Sequence, residues 1–518
     1  MSEVRFRKIS AADFFYRNKD IAGFDNPAKA TFTIARELVE NALDACDVYG
    51  ILPEVDARIS EEPKGFLIEV KDWGVGIPRE HLALAFGQVL YGSHFDEEKQ
   101  TRGVFGLGGK MAVMYGQITT NQPCHVESST SDKEPVNWID MRIDIEKNQP
   151  IVLAEGSKEN NGWRGTLIRF SFQGNYPYSR QKILEYLKQT AVICPYATIR
   201  FHEPSGEEHL WERSSDKLPP IPKPMRPHPK GVDIERVRRM RDSREYGTAL
   251  ELLTDGFQRI GRKTATNILY LTKRYGAEIQ PETKVGSLSD EGIQQIVAAI
   301  RQYDKFQAPD ADCLSPVNEE LLEKGIRQNF NPEFVTTYMG RPSSYEGHPF
   351  IVTCGIAYGG DIPISLDGKA HLFRFSNKIP LVYDAGEDLC TDIVENSINW
   401  SVYKVKKEDP VAVYISLCTT KTPWKSAGKQ AFGDNPEIRR EILNTLRKCG
   451  RDLRLYIGRK ERLQEEQRRS EILEKWVSVI IRHAARLIDD PNPPPVSLLI
   501  RSPKGSVLQL EDEVKKNE

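Results

Sequence analysis

Long apolar runs are missing from these 518 residues. Nothing approaches the roughly 18 consecutive apolar residues that a membrane-crossing helix needs, and the opening Met-Ser-Glu-Val-Arg-Phe-Arg-Lys has no apolar signal core. A membrane protein is thereby excluded as an expectation, and a soluble, cytoplasmic one is expected. Net charge is also lacking. The chain sets 72 Lys and Arg against 74 Asp and Glu, so no whole-molecule field draws it to nucleic acid or to a lipid surface, and any DNA contact must come from a local patch. Cysteines in metal-type pairs are absent: the eight, at 46, 124, 194, 313, 354, 390, 418 and 449, form no CxxC and accompany no His cluster at ligand spacing. That pattern points to a reducing compartment. No internal repeat is visible.

What is present is length and alternation. The chain is too long for one compact core and predicts three or four domains. Up to about residue 215, helix-like and strand-like patterns alternate: Ala28 to Val48 reads as a helix, and Phe66–Val70 and Leu167–Phe172 read as half-buried strands. This predicts an α+β sandwich. The stretch Leu218-Pro-Pro-Ile-Pro-Lys-Pro-Met-Arg-Pro-His-Pro229 then lacks the amide donors of regular structure and marks a stiff connector and a boundary. From Gly231 to about Tyr303 the pattern is helical and locally basic, with Arg236, Arg238, Arg239, Arg241 and Arg244 crowded together. Strand patterns return in His348–Gly355 and Val411–Leu417, before a long helix for which Asn435 supplies the N-cap and Pro436 the first turn.

Four local motifs carry chemistry. On the first helix, Phe32, Ala35, Val39, Ala42 and Cys46 make the buried stripe, while Glu37, Glu40, Asn41, Asp44 and Asp47 share the other face with Arg36 as the single helical partner, to Glu40. Like charges at these spacings repel, so a cation is expected nearby. The strand ending in Lys71 breaks into Asp72-Trp-Gly-Val-Gly-Ile-Pro78, where an Asp can accept from an adenine amino group and two glycines clear the backbone for a ligand. Downstream, Gly103-Val-Phe-Gly-Leu-Gly-Gly-Lys110 runs into a helix, and free backbone amides, a helix N-terminus and a lysine form a phosphate cradle. It lacks the GK[ST] ending of a P-loop. A fourth piece, Gly165-Thr166, opens a strand from which the threonine hydroxyl could support Asp72.

In this order the four pieces resemble the GHKL ATPases, the family of gyrase B subunits, ninety-kilodalton heat-shock chaperones, MutL and histidine kinases. The resemblance implies a Bergerat-fold sandwich in which Glu37 is the general base, Asn41 the Mg²⁺ ligand and Asp72 the adenine reader, with Gly76 allowing its close approach and Thr166 beside it. Residues 87–110 would form a lid, with Ser93, His94, Gly103, Val104, Phe105, Gly106, Leu107, Gly108, Gly109 and Lys110 binding ATP. Below that level, Asp25-Asn-Pro-Ala-Lys29, Gly87-Gln-Val-Leu-Tyr-Gly-Ser93, Gln100-Thr-Arg-Gly103, Pro227-His-Pro-Lys-Gly-Val232, Tyr345–Val352, Asn377–Tyr383 and Thr420–Lys429 resemble the B subunits of type IIB DNA topoisomerases, topoisomerase VI. That resemblance implies a strap over 1–25, a GHKL domain over 26–217, a linker and helix-two-turns-helix insert over 218–304, a transducer over 305–470, and a C-terminal helix and tail over 471–518. It also implies an ATP-dependent B dimer, a separate DNA-cleaving A subunit in an A₂B₂ heterotetramer on double-stranded DNA, and a transducer lysine, Lys429, that contacts the γ-phosphate as both ATP ligand and catalytic group.

Trp73, His94 and Gly109 depart from the family pattern. In the insert, Gln258-Arg-Ile-Gly-Arg-Lys-Thr264, between and beyond Gly256 and Gly261, offers amides and cations to a DNA phosphate. The loop pair Asp310 and Asp312 reads as structural rather than as a metal site. Two alternatives stay open from sequence: a GHKL chaperone or mismatch-repair clamp, and a DNA-binding scaffold with an inactive nucleotide site.

Overall fold

A computed structural model describes residues 8–92, 99–102, 107–364, 369–383, 385–425, 430–488 and 495. After a short helix α1 (Ala11–Arg17), the helix α2 (Pro27–Asp47) starts where the sequence dictates: Asn26 caps it through its side chain, accepting from Lys29 N at 2.8 Å, and Pro27 fills the first turn. The expected stripe of Phe32, Ala35, Val39, Ala42 and Cys46 is buried along its length.

Eight strands follow: β1 (Glu54–Glu62), β2 (Gly65–Asp72), β3 (Cys124–Ser129), β4 (Val136–Asp144), β5 (Gln149–Lys158), β6 (Gly165–Phe172), β7 (Thr198–His202) and β8 (Glu208–Trp211). They form one sheet in the order β5-β4-β3-β6-β2-β1-β7-β8, antiparallel except where β1 meets β7. Burial alternates along β2 and β6, as expected of a sheet with one covered face. The cover is α2 with α3 (Arg79–Gly87), α4 (Gly108–Thr120) and α5 (Tyr176–Ile193). This is the α+β sandwich.

The insert folds around its own core. Helices α6 (Ile234–Asp242), α7 (Ala249–Gly256), α8 (Arg262–Leu271) and α9 (Asp290–Gln302) bury Val237, Leu252, Leu253, Ile268, Ile293 and Ile296 against one another. Thr248 and Glu251 close a reciprocal capping box on α7.

A second sheet comprises β9 (Phe334–Met339), β10 (Ser343–Tyr345), β11 (His348–Tyr358), β12 (His371–Ser376), β13 (Ile379–Pro380) and β14 (Val411–Thr419), in the order β10-β11-β14-β12-β13, with β9 following β10 along the edge of β11 opposite β14. β11 and β14 are buried almost end to end because both faces are covered. One face packs on α10 (Glu319–Phe330) and through it on α5, where Gly325 meets the backbone of Val192 so closely that any β-carbon would overlap its carbonyl. Leu321, Leu322, Ile326, Phe375 and Tyr414 therefore belong to the same continuous core as α2 and the first sheet. The other face packs on α11 (Leu389–Asp392) and on the first turns of α12 (Pro436–Leu487), whose Ile438, Ile442, Leu446, Cys449 and Leu453 are buried. The second half of α12 projects beyond that core, and no helix among the described residues is long and apolar enough to cross a membrane.

Candidate nucleotide site

Glu37 and Asn41 lie one turn apart on α2, and the start of α4 is pressed onto both. A β-carbon at Gly108 would sit 2.9 Å from Glu37 Cγ and overlap its carboxylate, and one at Gly109 would come within 2.6 Å of Asn41 Nδ2. Contact distance, rather than flexibility, accounts for these two glycines, and it gives the departure at Gly109 a physical reason. The N-cap residue of α4 is Leu107, which makes no side-chain cap hydrogen bond, and the N-terminus of the helix lies at the point where Glu37 and Asn41 converge. Lys110, in the same first turn, is buried and its Nζ donates to the carbonyl of Tyr91, while burial lowers its pKa to about 8. Ser93, His94, Gly103, Val104, Phe105, Gly106 and Lys429 lie outside the described residues.

Asp72 ends β2 facing inward. Burial raises its pKa to about 7, against the opposing effect of two backbone donors, Gly74 N at 2.9 Å and Thr166 N at 3.1 Å, both on Oδ1. Oδ2 has no such bond among the described residues. Thr166 thus supports the carboxylate through its backbone, where its hydroxyl had been expected to act. That hydroxyl instead lies 3.2 Å from Ser128 Oγ, which in turn accepts from Ile77 N at 2.8 Å. Gly76, at φ +71°, is required by the fold, because a β-carbon would overlap the carbonyl of Ser129. Trp73 packs beside Lys71. It and Trp163 take Lys71 between them, with Nζ 4.9 and 4.6 Å from the two rings, and Trp163 Nε1 donates to the Asp72 carbonyl at 3.0 Å.

The acidic face of α2 has its cations, and they come from the protein. Arg36 pairs with Glu37 and lies 3.5 Å from Glu40, whose carboxyl is pushed up by burial and by the charge of Glu37. Farther along, Arg102 reaches Asp47 at 2.6 Å and Asp44 at 3.1 Å, and Lys378 of the second sheet reaches Asp47 at 2.8 Å. Burial alone would raise the Asp47 carboxyl, but the two cations outweigh it and hold it below the ordinary range. Sequence reasoning missed Lys378. Its signal was indirect, an acidic stripe too dense to be left uncompensated, but nothing in the sequence says which of 72 cations answers it.

In the insert, the basic crowd is partly neutralised: Asp290 takes Arg241 at 2.8 Å and Arg238 at 3.5 Å. Arg262 and Lys263 remain exposed at the start of α8, where Gly261 leaves open space and no side chain caps the helix. Asp310 pairs with Arg259 at 3.1 Å and Asp312 with Lys223 at 3.7 Å, a structural use for both. A Glu203, Glu207 and His209 grouping is bridged by Arg180, which supplies its positive charge.

The two-layer sandwich thus sets an acid and an amide one turn apart under a glycine-started helix. Residues 27–145 match the class described as "Histidine kinase-, DNA gyrase B-, and HSP90-like ATPase". Residues 309–469 match the family described as "Topoisomerase VI B subunit, transducer". Over 491 residues the chain is 39% identical to the B subunit of type 2 DNA topoisomerase 6 from Saccharolobus solfataricus, covering 93% of this chain and 91% of that one. To its counterpart from Saccharolobus shibatae it is 38% identical over 498 residues, 95% and 92% of the two chains. The chain belongs to this family, the ATP-binding B subunits of type 2 DNA topoisomerase 6, with ATP and Mg²⁺ as cofactors.

Proposed function

We propose that this chain is the ATP-driven clamp of a two-subunit DNA topoisomerase: two copies close on ATP around a duplex and couple hydrolysis to double-strand cleavage and passage by a separate A subunit, in an A₂B₂ assembly in the cytoplasm. The observation that carries the reading is the convergence of Glu37 and Asn41 on the N-terminus of α4. A polyphosphate there meets the backbone N–H end of a helix and its positive dipole. The exposed Asn41 amide oxygen is a hard ligand suited to Mg²⁺, and the residues present fit Mg·ATP. Glu37 takes the proton of the attacking water, Arg36 holds that carboxylate in place, and Asp72 accepts from the adenine amino group. Lys429, which follows β14 in sequence, senses the γ-phosphate. Lys110 adds a cation to the phosphates once the lid is arranged on them.

Two surfaces support the assembly. Ile9, Phe14, Tyr16 and Ile21, in and around α1, are exposed, which suits a segment exchanged with a second copy over residues 1–25. On α12, Ile472, Leu473, Trp476, Ile480 and Leu487 fall at helical spacing and are 49–86% exposed, a stripe suited to the A subunit. The basic start of α8 suits duplex phosphates. Replacement of Glu37 by Gln tests the core of the reading. Nucleotide binding is retained and hydrolysis is lost; equal loss of both would refute the assignment.

A further inference from the structure

Val89 and residues 99–102 are tied to different parts of the fold. Val89 is tied to the first sheet, because Asn148, in the turn between β4 and β5, accepts from Val89 N at 2.8 Å and donates to Val89 O at 3.0 Å. Residues 99–102 are tied to the second sheet and the chain leading into it. Gln100 N donates to Cys313 O at 2.9 Å, and the Gln100 side-chain oxygen accepts from Ser315 N at 2.5 Å and from Cys418 Sγ at 2.9 Å. Asn377 Nδ2 donates to Thr101 O at 3.2 Å, and Arg102 Nη1 donates to Lys378 O at 2.9 Å. Gly103, the first glycine of the phosphate loop, is the next residue.

Arg102 and Lys378 also share one carboxylate oxygen, Asp47 Oδ2, at 2.6 and 2.8 Å, and Tyr196 OH donates to it at 3.0 Å. Arg102, Lys378 and Asp47 are all buried, with Asp44 completing two positive and two negative charges. Lys378 reaches this place from the hairpin between β12 and β13, where it and Asn377 hold left-handed backbone at φ +68° and +49°. Such a cluster is sensitive to register. Moving the hairpin strips Asp47 of one cation in a low-dielectric setting and pulls the Arg102 guanidinium through its bond to the Lys378 carbonyl. Asp47, meanwhile, sits at the end of the same helix that carries Glu37 and Asn41.

We propose that Arg102 and Lys378 are positioning residues for ATP turnover, a buried ionic joint through which the orientation of the second sheet bears on Asp47, and so on the helix that carries Glu37 and Asn41, without touching nucleotide. The inference rests on the ATPase reading above and is separate from any contact of Lys429 with phosphate. The joint carries information in both directions: a nucleotide that fixes Glu37 and Asn41 fixes α2 and with it Asp47 and the hairpin, and a hairpin held elsewhere withdraws a cation from Asp47 and shifts α2.

The test replaces Lys378 by Asn in the full chain assembled with its cleavage subunit. Asn accepts left-handed backbone, so the hairpin is kept while the charge is removed. The expected result is a change of about five-fold or more in KM for ATP, and a comparable rise in ATP hydrolysed per strand-passage event. Amide exchange across residues 108–114 also becomes faster, although these residues are far from 378 in sequence. The double variant K378N with D47N, which removes the uncompensated charge, is less impaired than the sum of its parts. A K378N protein with lowered melting temperature but unchanged KM, coupling ratio and exchange has a merely structural lysine, and the proposal falls. If D47N does not fold, K378N alone decides. E37Q, run alongside, separates the two readings: normal loss of hydrolysis there with a silent K378N overturns only the joint.

Discussion

Replacing Gly108 by Ala separates activity from stability more sharply than any other change at the site. A methyl group there sits 2.9 Å from Glu37 Cγ, inside the 3.0 Å limit that real β-carbons respect, and overlaps the carboxylate outright. Glu37 must swing away, and its partner Arg36 with it, by about 1 Å or more. A misplacement of about 1 Å costs on the order of 100-fold in rate, or about 2.7 kcal/mol of activation free energy. Helix propensity runs the other way, since Ala is better than Gly inside a helix by up to about 1 kcal/mol. The variant is therefore expected to melt at or above the wild-type temperature while kcat falls about 100-fold. Gly109 makes a graded companion. Its added carbon would be 2.6 Å from Asn41 Nδ2, only 3.0 − 2.6 = 0.4 Å short of contact distance, and the tip of an amide can move that far. Gly109→Ala should raise the Mg²⁺ concentration needed for half-maximal turnover by a few-fold, with a small effect on kcat. Gly286→Ala, with nothing within 4 Å of the added carbon, is the control. Steady-state ATPase measurements with calorimetric melting provide both readouts. Gly108→Ala turning over within two-fold of wild type would refute the packing argument.

With its pKa raised to about 7, Asp72 is half protonated near neutrality, and the adenine amino group favours the ionised form. ATP affinity should thus climb toward ten-fold per pH unit below 7 and level off above it, a dependence absent from Asp72→Asn in titration calorimetry. The Asp47 carboxyl is depressed, so its contribution to stability is complete above the unfolded value of about 4 and is lost as pH falls through the folded one. Asp47→Asn, which leaves Arg102 and Lys378 facing each other in a buried place, should cost about 3–5 kcal/mol at pH 7 and flatten the acid limb of the denaturation profile. Trp476 is 62% exposed on the projecting part of α12. Trp476→Asp should leave melting unchanged and weaken co-purification of the A subunit at least ten-fold; undiminished recovery would move the interface elsewhere.

Much of this protein was legible from its sequence because the signals are local. Asn26-Pro27 and Asn435-Pro436 start helices by capping and fixed φ, which need no tertiary partner. The stripe on α2 and the alternation in β2 and β6 follow from burial on one face. Order and spacing of Glu37, Asn41, Asp72 and the glycine-dense loop carried the resemblance to the ATPase class without any coordinates, although no one of these motifs identifies it alone. What tertiary structure decided were the contacts between distant segments. That Thr166 supports Asp72 through its amide, that Gly108 and Gly109 are small because Glu37 and Asn41 stand against them, and that Gly76 clears the Ser129 carbonyl all depend on strands and helices meeting across the fold. Most of all, the cation expected beside the acidic face of α2 could have been bound Mg²⁺ or any of the chain's own Lys and Arg. Only the packing of the second sheet onto the first domain brings Lys378 across 331 residues to Asp47. A buried charge states that it needs a partner, and which partner arrives is a property of topology.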